Sequence, residues 1–291
     1  MRAEVVAVGI PFAEGPVWCP DGTVVATSVA GGALHRIHPA AGRNDRFAVT
    51  LGGANGAALA TDGSILVAQN GGIDFSGFPG PFGDLPSSPP TEPSLQIAAS
   101  DGTVRTLAAG ALLAPNDLAV TGDGEIRFTD PGHFPPASER PGRVMAYGRD
   151  GGLRVWADGF TYCNGIVAEP AGSIVVVEGR GLLRVFPDGT REWVIEDLGP
   201  GGGDGFCCDA DGRFYVAATA ERGVRVVDTD GTIVEFLPTG GEGLTTNCCF
   251  GGPDLRTLFV TDALPGSLLA FENMPTPGRA LPTWPGPANV A

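Results

Sequence analysis

Six oxygen-bearing side chains recur along the chain in the same local setting, each at the head of a short apolar run that ends in a tight turn. The pattern is clearest in NDLAVTGDG, where Asn116 precedes the apolar run and Gly-Asp-Gly follows it. The equivalent leading residues are Glu14, Asn55, Asn116, Asn164, Asp204 and Asn247. Carboxylate and amide oxygens are the hard ligands that Ca²⁺ binds. If the fold brings these residues together, they can hold a divalent cation.

A structural explanation competes with this one at each single position. Asn and Asp are common at strand starts because their side chains satisfy backbone groups of a turn. A glutamate is too long for that role, however, and Glu14 occupies the first of the six positions. The recurrence of six such residues, with two carboxylates and four amides, therefore favours a shared site.

The spacing of the leading residues indicates the elements that must position them. The intervals are 41, 61, 48, 40 and 43 residues, and each interval contains further short strands such as EIRFTD, RVMAYG and TIVEFL. Four short strands in about 40 to 45 residues are typical of one blade of a β-propeller. The first strand of each blade lines the central channel, so we predict that the six leading residues form a ring at one mouth.

The two chain ends predict how the ring closes. After Asn247 only three strands remain, and the N-terminal EVVAVG has no repeat of its own. Pairing this segment with the last blade would remove an exposed sheet edge. We therefore predict an all-β, six-bladed β-propeller with four antiparallel strands per blade, closed by the N-terminal strand. It is expected to be one domain over residues 1–291, with an irregular tail at about 275–291.

The longest interval contains an insertion at about 71–93, rich in Pro and Gly, which exclude regular structure. It carries three phenylalanines, Phe75, Phe78 and Phe82, which a solvated linker would not need. The insertion is either a lid over a pocket or a surface strap, and the lid is favoured.

Composition excludes several classes of partner. The formal net charge of −15 argues against nucleic acid and anionic membranes. The chain has no apolar run of about 18 residues, so no membrane span is expected, and its first residues lack the apolar core of a signal peptide. A cytoplasmic location follows as an expectation, whereas the oligomeric state is left open.

The 6 cysteines form no C-x-x-C pair and are expected to be reduced core residues rather than zinc ligands or disulfides.

Longer motifs carry a resemblance to a known family. They are FAEGPVW at 12–18, PNDLAVTGDGEIRFTD at 115–130, YCNGIVAEPAGSIVVVE at 162–178, GDGFCCDADGRFYVA at 203–217 and TTNCCFGGPDLRTLFVTDA at 245–263. In order and spacing, they resemble the senescence marker protein-30/gluconolactonase/luciferin-regenerating-enzyme family. The resemblance implies a six-bladed propeller with a divalent metal, often Ca²⁺, in the channel. It also implies lactone hydrolysis, or less commonly phosphotriester hydrolysis.

The resemblance assigns roles to individual residues of this chain. It implies four metal ligands, which are Glu14, Asn116, Asn164 and Asp204. It also implies that Asp204 is the general base or the nucleophile. Asp117 is expected to lie behind the ligands or against the substrate. Asn55 and Asn247 are expected to contribute through water or as part of the pocket wall.

Other candidate substrate contacts come from the residues around the predicted mouth. His133 follows the second strand of the third blade, although a lone histidine is more often structural. Phe75 and Phe78 would contact substrate if the insertion is a lid. The animal gluconolactonases carry an arginine where this chain has Ala114, and a glycine where it has Leu118. These departures predict a substrate less polar than an aldonolactone.

The sequence thus predicts a divalent-metal-dependent lactonase acting on a small-molecule lactone or ester. The metal would polarise the carbonyl group, and Asp204 would activate a water molecule or attack directly. Ca²⁺ suits the ligands best, while Mg²⁺, Mn²⁺, Zn²⁺ and Fe²⁺ remain alternatives. Two other functions stay open. One is phosphotriester hydrolysis at the same site, and the other is a non-catalytic binding propeller, which would have no need of the oxygen-rich ring.

Overall fold

The computed structural model describes residues 1–132, 141–240 and 243–288. These residues form 24 strands in six four-stranded antiparallel sheets. The helices within these ranges are 3₁₀ turns, at Pro39–Ala41, Phe75–Gly77, Gly80–Phe82 and Thr219–Glu221. None of these helices has the length and apolarity needed to cross a membrane.

The first strand, β1 (Glu4–Val8), belongs to the last blade, and the next twelve strands build blades 1 to 3. Blade 1 consists of β2 (Ala13–Trp18), β3 (Val24–Ser28), β4 (Ala33–His38) and β5 (Arg43–Val49). Blade 2 consists of β6 (Ala54–Leu59), β7 (Ile65–Gln69), β8 (Ser94–Ala98) and β9 (Val104–Ala109). Blade 3 consists of β10 (Leu118–Val120), β11 (Ile126–Asp130), β12 (Gly142–Tyr147) and β13 (Leu153–Phe160).

The remaining strands build blades 4 to 6. Blade 4 consists of β14 (Cys163–Ala168), β15 (Ile174–Glu178), β16 (Gly181–Val185) and β17 (Arg191–Ile195). Blade 5 consists of β18 (Phe206–Cys208), β19 (Phe214–Ala218), β20 (Gly223–Val227) and β21 (Ile233–Pro238). Blade 6 consists of β22 (Thr245–Gly251), β23 (Thr257–Asp262), β24 (Ser267–Phe271) and β1.

The ring closes between the two ends of the chain. β1 pairs antiparallel with β24, so the sheet order of blade 6 is β1-β24-β23-β22. This confirms the predicted six-bladed propeller and its closure by the N-terminal strand. The core lies between neighbouring blades, as where Leu66 and Leu95 of blade 2 pack with Leu118 and Phe128 of blade 3. Burying apolar area between sheets is the main favourable contribution to such a fold.

The insertion joins β7 to β8 at the mouth where the leading residues lie, because β7 runs antiparallel to β6. Phe75 and Phe82 pack with Phe12, which stands two residues before Glu14, and Phe78 packs on Phe75 and Phe82. We call these four rings the aromatic cluster. The ring centroids of Phe12 and Phe75 are 5.4 Å apart, and those of Phe12 and Phe82 are 6.1 Å apart. The insertion of blade 2 therefore leans onto blade 1 beside the mouth.

The C-terminal segment 272–288 lies at the opposite end of the channel, where the first strands finish. It hydrogen-bonds to five blades, through Arg256, Cys208, Ala168, Arg149 and Leu59 of blades 6, 5, 4, 3 and 2. Trp284 is only 2 % exposed and fills the core between blades 2 and 3. We refer to this segment as the tail.

Candidate metal and catalytic site

The leading residues lie where the regular pairing of each first strand is interrupted. In β2, β6, β14 and β22 the register with the second strand shifts at or beside the leading residue. In blades 3 and 5 the strand starts just after Asn116 and Asp204, whose backbone N–H groups still donate to the second strand. Such irregularities bend a strand and change the direction of its side chains, which here serves a common site.

A glycine follows four of the six leading residues, and close approach between blades explains it. A Cβ atom on Gly15 would lie 2.4 Å from the Asn55 carbonyl oxygen, and one on Gly165 would lie 2.5 Å from the Asp204 carbonyl oxygen. Each glycine thus lets the leading residue of the next blade come close. The leading residues of neighbouring blades therefore lie close together.

Asp117 takes the place of that glycine in blade 3. Its carboxylate lies against Gly56 of blade 2, where a Cβ atom would come within 2.3 Å of Asp117 Oδ1. Asp117 is 7 % exposed, and Asn247 Nδ2 of blade 6 donates to its Oδ2 at 3.0 Å. The structure therefore brings Asp117 into the ring as a third carboxylate beside Glu14 and Asp204.

Burial raises the proton affinity of all three carboxylates, and neighbouring charges add to this effect at Asp204 and Glu14. Burial raises the pKa of Asp117 to about 7. Burial and then the Asp117 charge raise the pKa of Asp204 to about 7, against hydrogen bonds from Asn164 and Thr219. Burial, followed by the charges of Asp204 and Asp117, raises the pKa of Glu14 well above its usual range. Among the described residues, no ion pair involves any of the three.

The amides of the ring fall into two kinds. Asn164 hydrogen-bonds Asp204, and Asn247 donates to Glu14 Oε2 and Asp117 Oδ2 at 3.0 Å each. The side chains of Asn55 and Asn116 form no hydrogen bond with any residue in the described ranges. Their side-chain oxygens therefore have no competing protein donor in the described ranges, although both backbone carbonyls accept hydrogen bonds.

The last residue of the second strand anchors the approach to the site, a role that the sequence reasoning missed. Asp130 Oδ1 accepts from the backbone N–H groups of Leu113 and Ala114, at 2.9 and 2.7 Å, on the loop before Asn116. Glu178 accepts likewise from Thr161 and Tyr162 before Asn164. The sequence feature that could have predicted this role is the acidic residue that ends the second strand, as in EIRFTD and SIVVVE.

Tyr162 is a second residue that the sequence reasoning missed. Burial, and then the negative charge of Asp204, raise the pKa of its phenol, with a smaller effect from Glu14. The phenol therefore lies near the carboxylates, two residues before Asn164. A tyrosine hydroxyl in this position can donate a hydrogen bond to a carboxylate or to a bound ligand.

The remaining predicted contacts are placed as follows. Phe75 is 2 % exposed inside the aromatic cluster, whereas Phe78 is 37 % exposed. Phe75 thus secures the insertion, and Phe78 presents a ring to solvent. Leu118 is 6 % exposed and packs in the core, so its side chain carries no argument about substrate. His133 lies outside the described residues.

The donor set suits a divalent cation of the oxygen-binding kind. Glu14 and Asp204 supply two negative charges, and Asn116 and Asn164 supply amide oxygens. Buried carboxylates without a positive partner are costly, and a cation would offset that cost. Across residues 1–132, 141–240 and 243–288, no three or more His, Cys, Asp or Glu side chains form a metal-binding group by themselves. The amides are thus an essential part of the candidate set.

Comparison with known proteins gives a family and a fold. The model of the SMP-30/gluconolactonase/LRE-like region matches residues 12–264. The pentonolactonase XacC of Haloferax volcanii is 27 % identical over 286 residues, covering 89 % of this chain and 84 % of that protein. Regucalcin of Xenopus laevis is 38 % identical over 64 residues, which cover 22 % of this chain and 21 % of that protein.

Solved structures share the architecture. A calcium-binding regucalcin from Agrobacterium tumefaciens has a TM-score of 0.78 at 23 % identity, covering 96 % of both chains. A gluconolactonase from Xanthomonas campestris has a TM-score of 0.73 at 22 % identity, covering 95 % of this chain and 89 % of that one. At these identities the likeness shows the fold alone.

Proposed function

The chain belongs to the SMP-30/gluconolactonase/LRE-like family, and on that premise we propose that it is a lactonase with one divalent cation in its channel. The observation that carries the proposal is the convergence of Glu14, Asp117 and Asp204, with no ion-pair partner among the described residues. The pentonolactonase among its relatives supports the same class of reaction.

Four residues of the ring would hold the cation. They are Glu14, Asn116, Asn164 and Asp204, and their all-oxygen character favours Ca²⁺. When bound, the cation would polarise the lactone carbonyl and stabilise the negative charge that develops on its oxygen.

We propose that Asp204 acts on the attacking group. Its carboxylate is oriented by Asn164 and by Thr219 Oγ1, which lies 3.5 Å from Asp204 Oδ2. Asp204 either takes the proton of an attacking water molecule or attacks the carbonyl carbon itself. A single turnover in ¹⁸O-labelled water identifies direct attack if water opens the mixed anhydride at the Asp204 carboxyl carbon, because an unlabelled oxygen of the protein then enters the product and the label enters Asp204.

The substrate is proposed to be less polar than an aldonolactone. Ala114 stands at the mouth in place of a cationic side chain, and its backbone is held by Asp130. The aromatic cluster lies beside the same mouth, with Phe78 exposed. An alkyl or aryl substituent on the lactone could pack against such a surface.

The proposal is tested with a panel of sugar, alkyl and aryl lactones and an aryl dialkyl phosphate. The protein is assayed after chelation and after re-addition of single cations. We expect Ca²⁺-dependent opening of alkyl or aryl lactones in preference to sugar lactones. Cleavage of the phosphate alone would indicate a phosphotriesterase, and turnover of no compound with any cation would favour a binding protein.

The proposed roles are tested with two variants. Asp204→Ala and Asn164→Ala should abolish lactone opening while the circular dichroism spectrum is retained. Asp188→Ala, at an exposed turn of blade 4, is the matched control and should keep full activity. Near-normal turnover by either site variant, confirmed to be metal-free, would contradict the mechanism.

A further inference from the structure

Asn247 makes a connection that the metal-ligand set does not include. Its side chain is 6 % exposed and lies in β22 of blade 6. Its Oδ1 atom accepts a hydrogen bond from the backbone N–H of Cys248 at 2.8 Å. This bond fixes the orientation of the amide, so the NH₂ group, and not the carbonyl oxygen, faces the channel. Asn247 is thus a hydrogen-bond donor to the site.

The two hydrogens of this NH₂ group match two carboxylates. Asn247 Nδ2 donates to Glu14 Oε2 and to Asp117 Oδ2, both at 3.0 Å. An amide NH₂ has two donors, and both are used here. Hydrogen bonds to charged acceptors are shorter and stronger than those between neutral groups.

One of these bonds joins neighbouring blades of the ring, and the other joins opposite blades. Glu14 belongs to blade 1, Asp117 to blade 3 and Asn247 to blade 6. Blade 3 lies opposite blade 6 in a ring of six, so the bond from Asn247 to Asp117 crosses the channel. The amide is therefore placed to hold together carboxylates that would otherwise repel one another.

The same bonds decide which carboxylate oxygens remain for a ligand. Glu14 Oε2 also accepts from the backbone N–H of Gly15 at 2.8 Å, so it carries two hydrogen bonds. Its other oxygen, Oε1, is left as the ligand atom. Asp117 is held between Asn247 and the Cα atom of Gly56. The positions of both acids are set before any cation arrives.

We infer that Asn247 is a positioning residue that keeps the acidic ring assembled in the cation-free protein. Its two N–H groups hold Glu14 and Asp117 together and so partly replace the attraction that a bound cation would supply. This inference rests on the proposed cation site. It assigns Asn247 a role toward the cation without making it a ligand. A residue that supports only the metal-free state should become less important once the cation is present.

The inference is tested by thermal unfolding in EDTA and in Ca²⁺, with Ca²⁺ affinity measured by calorimetry. In EDTA, Asn247→Ala should unfold roughly 5 °C or more below the wild type, because two buried carboxylates each lose one hydrogen-bond donor. Ca²⁺ should raise its melting temperature by more than it raises that of the wild type. Asn247→Ser has one hydroxyl hydrogen, so its melting temperature in EDTA should lie between those of the wild type and Asn247→Ala. Asn247→Asp adds a negative charge and should show the largest response to Ca²⁺.

Val260→Ala is the matched control, because Val260 is buried in the same blade opposite Cys248 and touches none of the acids. It should lower the melting temperature equally in EDTA and in Ca²⁺. If Asn247→Ala and Asn247→Ser gain no more from Ca²⁺ than the wild type does, the positioning role is wrong while the cation site stands. If the wild type itself gains nothing from Ca²⁺, Mg²⁺ or Mn²⁺, the cation site fails and the role of Asn247 fails with it.

Discussion

Gly56→Ala tests whether close approach between blades sets the geometry of the site. The added Cβ atom would lie 2.3 Å from Asp117 Oδ1, 2.6 Å from Asp117 Cα and 2.8 Å from the Asn116 carbonyl oxygen. Ordinary contacts of a Cβ atom begin at about 3.4 Å. The start of blade 3 must therefore move by up to about 1 Å, and it carries both Asn116 and Asp117.

The expected magnitude follows from this displacement. Overpacking of this kind costs about 1–3 kcal/mol of unfolding free energy. Moving a reacting group by about 1 Å can reduce turnover by roughly 100-fold. We therefore expect a moderate fall in melting temperature and a much larger loss of lactone opening.

The assay compares melting temperature and kcat/KM for the wild type, Gly56→Ala and Gly122→Ala. Gly122 lies in the first hairpin turn of blade 3, has no atom within 4 Å of an added Cβ, and is not at a positive φ. Gly122→Ala should therefore resemble the wild type in both measurements. Full stability and activity in Gly56→Ala would refute the argument that this glycine sets the position of Asp117.

Two further predictions concern pH and the tail. In EDTA, Asp117 and Asp204 have pKa values of about 7 in the folded protein, raised by burial, against about 4 in an unfolded chain. The folded state then binds more protons than the unfolded state between these values, so the melting temperature should fall as the pH rises from about 4 to about 7. Saturating Ca²⁺ should reduce this fall, and a flat profile in EDTA would contradict the pKa directions. Separately, Trp284→Ala should cost about 3–5 kcal/mol because it empties a buried position. Trp284→Phe should cost less, since Trp284 Nε1 has no hydrogen-bond partner among the described residues; equal melting temperatures for the two variants would count against the packing role.

The fold was predictable because every blade repeats the same local chemistry. A leading polar residue, a short apolar run and a glycine turn recur with a period that matches one blade, and the orphan strand EVVAVG indicates where the ring closes. The prediction that the six leading residues converge rests on that repeat alone.

The details of the site depend on atoms that are distant in sequence. The anchoring role of Asp130 requires knowing that the loop before Asn116 returns beside the end of β11. The orientation of the Asn247 amide depends on the backbone N–H of Cys248, which no residue pattern reveals.

Leu118 shows how a neighbour in sequence can mislead. It follows Asp117, and from the sequence alone its departure from the family motif predicts a less polar substrate. Successive residues of a strand point to opposite faces, and Leu118 therefore enters the core while Asp117 enters the channel. The argument for a less polar substrate now depends on Ala114 and the aromatic cluster.

The tail has a consequence for the order of events in catalysis. It lies along the far ends of the innermost strands, where its backbone N–H groups donate to Cys208 and Leu59 and the Arg279 guanidinium donates to the Ala168 carbonyl. A small molecule is then expected to use only the mouth beside the aromatic cluster, both to arrive and to leave. In the proposed reaction, the ring-opened hydroxy acid must leave through the same opening before the next lactone can enter. A variant with its tail detached from these strands should therefore exchange the product faster, with an unchanged affinity for it.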